Sequence, residues 1–175
     1  MPDMLHVRTN QEGEYSEKTV EKHMRPEIVF GHILKHHNRL NALLRPAFVF
    51  APSVRGSMTI TDMYIKEGIP FAHLDGKHIY YGEKDSVGSP KVINSTVMRN
   101  REELFDKVRT GEVKGISNRF VLVEGVDMPE VYHLIYATRF GSLVQFLQAG
   151  GRVLRNHPSL DSVICQCHAG HFWSH

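Results

Sequence analysis

The chain alternates short, continuously apolar runs with longer stretches in which apolar residues recur every three or four positions. Runs such as residues 47–51 are typical of parallel strands covered on both faces, and the longer stretches have the period of amphipathic helices. Gly68 and Gly111 are suitable helix ends. The alternation predicts an α/β fold, with strands at 47–51, 69–74, 113–117, 131–137 and 161–167, and helices at 16–24, 27–41, 54–67, 99–110 and 143–155.

The chain divides into a short arm and one domain. Residues 1–15 are polar and lack periodicity, so we interpret them as a linker or arm, and residues 16–175 are long enough for a single domain. Residues 77–97 form a polar segment that is too long for an ordinary connection, and they are expected to be a hairpin or a loop insertion. Its adjacent Tyr80 and Tyr81, with lysines nearby, could stack on bases; a surface loop without a binding role is the alternative.

The composition excludes few classes of function. With 41% hydrophobic and 23% charged residues it is ordinary for a soluble globular protein, and the formal net charge of +2 is too small to indicate nucleic-acid binding by itself. No apolar run approaches the ~18 residues of a membrane span, and the first residues do not open a signal peptide. We therefore expect no membrane partner. Cys165 and Cys167 are too close together for a useful disulfide, which favours a reducing, cytoplasmic location.

The helix predicted at 143–155 concentrates polar groups on one side. At ~100° per residue, Gln148, Arg152 and Arg155 lie within about 60° of one another, and Leu143 and Phe146 are on the opposite side. Two guanidiniums held together favour an anion between them, and their planar donor sets suit phosphate oxygens. A solvated helix with two surface arginines is the alternative.

Together with Gly151, these residues form the pattern Gln148-x-x-Gly151-Arg152-x-x-Arg155. The pattern resembles the arginine-finger motif of superfamily 2 DNA/RNA helicases of the DEAD/DEAH type, which lies in the second, C-terminal RecA-like motor domain. The resemblance implies that Arg152 and Arg155 reach the γ-phosphate of ATP and stabilise transition-state charge. It also implies that Gln148 orients the attacking water or senses the γ-phosphate.

Two further segments are similar to motifs of the same domain. Residues 124–129 resemble the Gly-hydrophobic-Asp-hydrophobic-Pro segment that precedes the finger helix, and residues 48–53 resemble the strand-to-loop motif that opens the domain. The family's fold would be a three-layer α/β structure, a mainly parallel sheet with helices on both faces. By this resemblance Gly125 and Gly151 allow close approach to the nucleotide, and Asp127 accepts from a ribose hydroxyl or holds the finger arginines. A turn residue before a proline is the alternative for Asp127.

The resemblance also implies contacts with nucleic acid at Ser53, Asn118 and Arg119. Ser53 would stand where a strand end meets a helix N-terminus, which is an anion site, and a simple N-cap is the alternative role. Many relatives begin the segment that corresponds to residues 118–129 with Thr or Ser, whereas this chain has Asn118 and Arg119 there.

The sequence contains neither a Gly-x-x-x-x-Gly-Lys-Ser/Thr phosphate loop nor an Asp-Glu-x-Asp/His box. Those parts hold ATP and Mg²⁺, and in these helicases they belong to the first motor domain. We therefore expect the second motor domain of an ATP-dependent helicase or translocase, inactive alone. Its partners would be a first RecA-like domain, in the same parent chain or a separate subunit, and single-stranded or duplex nucleic acid. The alternative is a non-catalytic module, derived from such a domain, that binds nucleic acid or protein.

No metal site is expected. His32 and His36 have the i, i+4 spacing of helix ligands, but no acid or cysteine completes the set nearby. Cys165 and Cys167, followed by tail histidines, do not have the usual spacing of zinc ligands. The two cysteines are expected to be small buried hydrophobic residues.

Overall fold

The computed structural model describes residues 26–119, 128–138, 147–148, 150–151 and 160–168. The helices are α1 (Pro26–Leu40), α2 (Val54–Lys66) and α3 (Met98–Arg109). The strands are β1 (Ala47–Phe50), β2 (Phe71–Leu74), β3 (His78–Lys84), β4 (Pro90–Asn94), β5 (Gly115–Asn118), β6 (His133–Tyr136) and β7 (Ile164–Cys167). The expected arm at 1–15 and the helix at 16–24 lie outside the described residues.

Within the described part of the chain, the strands form one sheet in the order β4–β3–β2–β5–β1–β6–β7. The strands β2, β5, β1, β6 and β7 are parallel to one another, and β3 is antiparallel to both β2 and β4. Every residue of β1, β2, β5 and β6 is buried, because both faces of these four strands are covered.

Helices pack on both faces of the sheet. On one face α3 contributes Leu104 and Val108 to a buried cluster, and on the other face α1 contributes Ile33 while α2 contributes Ile60 and Tyr64. Each fully buried side chain of this kind stabilises the fold by about 1.5–3 kcal/mol. The sheet is the middle of three layers, which confirms the predicted fold class.

The polar segment at 77–97 is a hairpin that extends the sheet by β3 and β4. Side chains alternate across β3, so that the Tyr80 ring is buried and its hydroxyl donates a 2.7 Å hydrogen bond to Asp62 on α2. The ring of Tyr81 packs against the cluster on the other face. The hypothesis that the paired tyrosines stack on bases is wrong for Tyr80, because that ring is inside the protein.

The strand β7 differs from expectation in its side chains. Gln166 is buried, whereas its neighbours Cys165 and Cys167 are exposed. The two cysteines share a face of the strand as period two requires, but it is the face turned to solvent. The expectation that they are buried hydrophobic residues is therefore wrong. None of the helices in the described ranges is long and apolar enough to cross a membrane.

Candidate functional site

The carboxyl ends of three parallel strands meet at one edge of the sheet. Phe50 of β1 and Leu74 of β2 both pair in register with Asn118 of β5, so the three strands end side by side. The Ala51 amide donates a 2.8 Å hydrogen bond to the Asn118 carbonyl just beyond the last pair. Ligands of open α/β sheets bind in the crevice outside such strand ends.

Ser53 starts α2 at this edge. Its backbone is extended, with φ −153° and ψ 167°, and its Oγ accepts a 3.0 Å hydrogen bond from the Gly56 amide. This geometry is that of an N-cap, so the capping role is confirmed. The first turn of α2 contains no acidic residue, so that the positive end of the helix dipole is not offset by a carboxylate there.

Asn118 and Arg119 have different surroundings. Asn118 is completely buried, and its Nδ2 donates a 2.9 Å hydrogen bond to the Val49 carbonyl. Arg119 follows the strand directly and is half-buried. Because β5 extends to Asn118 instead of ending at Ser117, the amide side chain braces β5 against β1. Arg119 is a cationic residue directly after this strand end.

A buried polar cluster, which was not predicted from the sequence, lies behind the same edge. His73 Nε2 donates to Asp75 Oδ2 at 3.1 Å, and Ser57 Oγ lies 2.6 Å from His73 Nδ1 and 2.9 Å from Ser117 Oγ. Its one signal in the sequence is a histidine inside an apolar run that ends in an aspartate. The partners Ser57 and Ser117 are far from His73 in the chain, which hides the cluster from any local pattern.

Asp75 is the charged member of the cluster, and His73 is neutral. Burial lowers the pKa of His73, and the hydrogen bond and charge of Asp75 offset this only in part. Burial by itself raises the pKa of Asp75, but hydrogen bonds from the Lys77 amide, from His73 and from the His78 amide outweigh it and bring the pKa below its usual value. The stable combination is a neutral imidazole beside a carboxylate.

Part of the predicted finger helix is described. Residues 147, 148, 150 and 151 are helical, and both Gln148 and Gly151 are exposed. A Cβ added to Gly151 would have no atom within 4 Å, so a ligand can approach the backbone there. Arg152, Arg155, Gly125 and Asp127 lie outside the described residues.

A family model for the helicase conserved C-terminal domain matches residues 32–157. The match covers most of the chain and all of the parallel sheet except β7. The chain belongs to this family. It is a C-terminal RecA-like domain of the superfamily 2 helicases, as the motifs at 148–155, 124–129 and 48–53 implied.

This helicase C-terminal domain is 41% identical over 66 residues to the DNA 3'-5' translocase XPB2 of Sulfurisphaera tokodaii, a match that covers 38% of the chain and 15% of that protein. It is 26% identical over 143 residues to a 51.5 kDa protein of a Lactococcus phage (isolate 7-9), covering 82% of the chain and 27% of that protein. The chain thus spans about a quarter or less of these relatives.

Solved structures agree on the fold. The C-terminal domain of the DEAD-box protein Dbp5 superposes with a TM-score of 0.57 at 15% identity, over 82% of this chain and 71% of that one.

The helicase domain also has a cleft of about 590 Å³ at the opposite edge of the sheet. The cleft lies between the hairpin and α3, where Tyr81, Ile93 and Lys107 contribute to its walls, and it reaches the residues before β2 and β5. Because the carboxyl ends of the parallel strands point away from it, this cleft is separate from the candidate site.

Histidines gather at one further place in the domain. The ring of His36 lies 6.4 Å from that of His32 and 5.6 Å from that of His168. Within the described ranges no group of three or more His, Cys, Asp or Glu side chains could hold a metal ion.

Proposed function

We propose that this domain is the second motor domain of an ATP-dependent superfamily 2 helicase or translocase. In this proposal it supplies arginine fingers to ATP bound on a first RecA-like domain and grips nucleic acid at the carboxyl edge of its sheet. The observation that carries the proposal is the convergence of the α2 N-terminus and the end of β5 at that edge, in a chain of this family. One relative, the DNA 3'-5' translocase XPB2, supports the same class of activity.

The proposed grip is electrostatic and uses the strand ends. The amides in the first turn of α2, positioned by the Ser53 cap, would donate to a phosphate, and Arg119 would add a positive charge beside it. Asn118 would act by bracing β5 against β1, because its side chain is buried. Contacts of this kind hold the backbone of a nucleic acid without reading its sequence.

The proposed nucleotide contacts come from the finger helix and from residues 124–129. The exposed Gln148 and the open surface at Gly151 fit the approach of a phosphate group. When bound on the first domain, ATP with Mg²⁺ supplies the phosphoryl bond whose hydrolysis drives the motor. Arg152 and Arg155 would carry positive charge to that bond, a contribution of roughly 10³–10⁵ in rate. Gln148 would orient the attacking water.

The segment at 124–129 would hold the rest of the nucleotide. Gly125 lacks a side chain and would let the backbone approach the ligand, and Asp127 would accept from a ribose hydroxyl or hold the finger arginines. We place the parent protein in the reducing cytoplasm, with which it is consistent that Cys165 and Cys167 are not joined in a disulfide.

The grip can be tested on the whole chain with a labelled single-stranded DNA and the matching RNA. Arg119→Gln should weaken binding to both and reduce the slope of log K against log salt by about one. Arg39→Gln is the control, since Arg39 is an exposed arginine near the end of α1. Equal affinity of Arg119→Gln and the wild type would contradict the grip.

The fingers can be tested after the first motor domain is added. Arg155→Ala should reduce nucleic-acid-stimulated ATP hydrolysis by about 10³-fold or more, while Arg109→Gln, which removes a surface arginine paired with Asp106, should leave it unchanged. Near-normal turnover of Arg155→Ala would refute the finger assignment. Nucleic-acid binding without any stimulated hydrolysis by the wild type would instead favour a non-catalytic binding module.

A further inference from the structure

A chain of buried hydrogen bonds starts at the root of the hairpin. Asp75 Oδ1 accepts from the amides of Lys77 and His78, at 2.6 and 2.7 Å, and so fixes the turn between β2 and β3. Its other oxygen accepts from His73 Nε2 at 3.1 Å. The Ser95 hydroxyl donates to the Asp75 carbonyl at 2.8 Å, which ties the end of β4 to the same residue.

The chain of hydrogen bonds has a defined direction. A carboxylate only accepts, so His73 must carry its hydrogen on Nε2. The neutral ring then accepts on Nδ1 from the hydroxyl of Ser57, at 2.6 Å. Because that hydroxyl has a single hydrogen, Ser117 supplies the hydrogen for the 2.9 Å contact between the two serine oxygens. His73 and Ser57 are completely buried, so water cannot replace either partner, and the orientation of each group depends on the next.

The other end of this series of hydrogen bonds is at the proposed phosphate grip. The Ser57 amide donates to the Ser53 carbonyl at 2.9 Å, inside the capped first turn of α2. The hydroxyls of Ser57 and Ser117 are hydrogen bonded at 2.9 Å, and Ser117 directly precedes the strand end at Asn118. The chain therefore touches both elements that meet at the carboxyl edge.

We propose that His73 is a positioning residue for nucleic-acid binding, which couples the root of the hairpin to the α2 N-terminus through Asp75 and Ser57. The inference rests on the proposed grip and adds to it a means of control. A change at the hairpin root alters how Ser57 is held, and so alters where the first amides of α2 point. The inserted hairpin thereby affects binding without touching the nucleic acid.

The structure offers a matched pair of hydroxyl deletions. Ser57→Ala removes the hydroxyl 2.6 Å from buried His73, and Tyr64→Phe removes the hydroxyl 2.6 Å from buried His37. Both variants leave a buried imidazole nitrogen without its hydroxyl, so both lower thermal stability. Only Ser57 is linked to the grip. At a temperature where both variants are folded, Ser57→Ala should weaken binding of a labelled single-stranded oligonucleotide about five- to tenfold, and Tyr64→Phe should change it less than about twofold.

Asp75→Asn tests the donor-to-acceptor direction of the hydrogen bonds from Asp75 to Ser57 without removing any side chain. The Asn carbonyl still accepts from the turn amides, but its NH₂ donates toward His73 and favours the other tautomer, with the hydrogen on Nδ1. The ring nitrogen shifts of His73 in NMR spectra should report this exchange, which a merely structural role would not link to affinity. The double variant Ser57→Ala/Asp75→Asn should have the same affinity as the single variant that binds less tightly, because both substitutions interrupt the same series of hydrogen bonds.

The outcomes separate the two proposals. Wild-type affinity in both Ser57→Ala and Asp75→Asn, with weakened binding by Arg119→Gln, overturns the positioning role and leaves the grip intact. If Ser57→Ala does not fold, Asp75→Asn alone decides in the same way. Absence of salt-dependent binding by the wild-type chain overturns both.

Discussion

The imidazole rings of His37 and His133 meet edge to face, with centroids 4.9 Å apart and planes at 86°. Both residues are completely buried. Burial lowers the pKa of His37 to about 4, and burial, reinforced by the neighbouring His37, lowers the pKa of His133 to about 3. These pKa values lie below the ~6.5 of a histidine in the unfolded chain, so α1 is held on β6 by neutral rings.

Stability should therefore fall in mild acid. Between about pH 6.5 and 4 the unfolded chain binds protons that the native chain does not, so the free energy of unfolding decreases as the pH falls through this window. Each histidine contributes at most about 1.4 kcal/mol per pH unit. Urea denaturation at a series of pH values measures the slope, which should be shallower in His37→Gln and unchanged in His32→Gln, a substitution of an exposed histidine of α1. Equal slopes in all three proteins would contradict the assignment.

Gly82 fixes the hairpin against α2. Its φ is +82°, and a Cβ there would overlap Cδ1 of Ile65. Gly88, in the hairpin turn, has nearly the same φ of +83° but no atom within 4 Å of a Cβ. Gly88→Ala should cost about 1–2 kcal/mol for the backbone conformation alone. Gly82→Ala should cost at least as much, with a smaller addition because the terminal methyl group of Ile65 must move aside. Chemical denaturation measures both, and Ile65→Ala should recover part of the Gly82→Ala loss.

Gly115 lets β5 pack closely between β1 and β2, because it has no side chain. A Cβ there would overlap the carbonyl oxygen of Ala47 and lie 2.5 Å from ring atoms of Phe71. Because backbone cannot rotate away, Gly115→Ala should destabilise the domain by about 3 kcal/mol or more. Gly76→Ala, with no atom within 4 Å, is the control and should stay within about 0.5 kcal/mol. If Gly115→Ala has the melting temperature of the wild type, then β5 does not lie so close to Ala47 and Phe71.

The hydroxyl of Tyr80 joins the hairpin to α2. It donates to the Asp62 carboxylate at 2.7 Å, and burial together with that carboxylate raises the pKa of Tyr80 to about 12. Tyr80→Phe should lower the free energy of unfolding by about 1.5–3 kcal/mol, the range for a hydrogen bond to a charged group. Tyr81→Phe, on the opposite face of the same strand, should change it by less than about 0.5 kcal/mol. Equal effects of the two variants would exclude a special role for the Asp62 contact.

The parallel sheet could be predicted because burial on both faces leaves continuous apolar runs. The run at 47–51 is β1 (Ala47–Phe50), and the run at 131–137 contains β6 (His133–Tyr136). The hairpin could not be distinguished from a loop, since every residue of β4 is exposed and the strand shows no alternation. Its structure depends on pairing with β3, which composition does not reveal.

The site was predictable only where a local motif exists. The N-cap position of Ser53 could be predicted because a strand end followed by a helix is a short-range pattern. The buried role of Asn118 was not, because it depends on the Val49 carbonyl of another strand. The same holds for His73, because its partner Ser57 is 16 residues away in the sequence. Ser117, which is hydrogen bonded to Ser57, is a further 60 residues from Ser57.

The hairpin also determines which strand forms this edge of the sheet, where another copy of the domain could pair. Without β3 and β4, the apolar strand β2 would end the sheet and offer unpaired backbone groups to any extended chain. The border is instead β4, a short strand that begins with Pro90 and carries the exposed Lys91. Proline and lysine on a border strand disfavour edge-to-edge aggregation. Removing the hairpin should therefore cost solubility as well as stability.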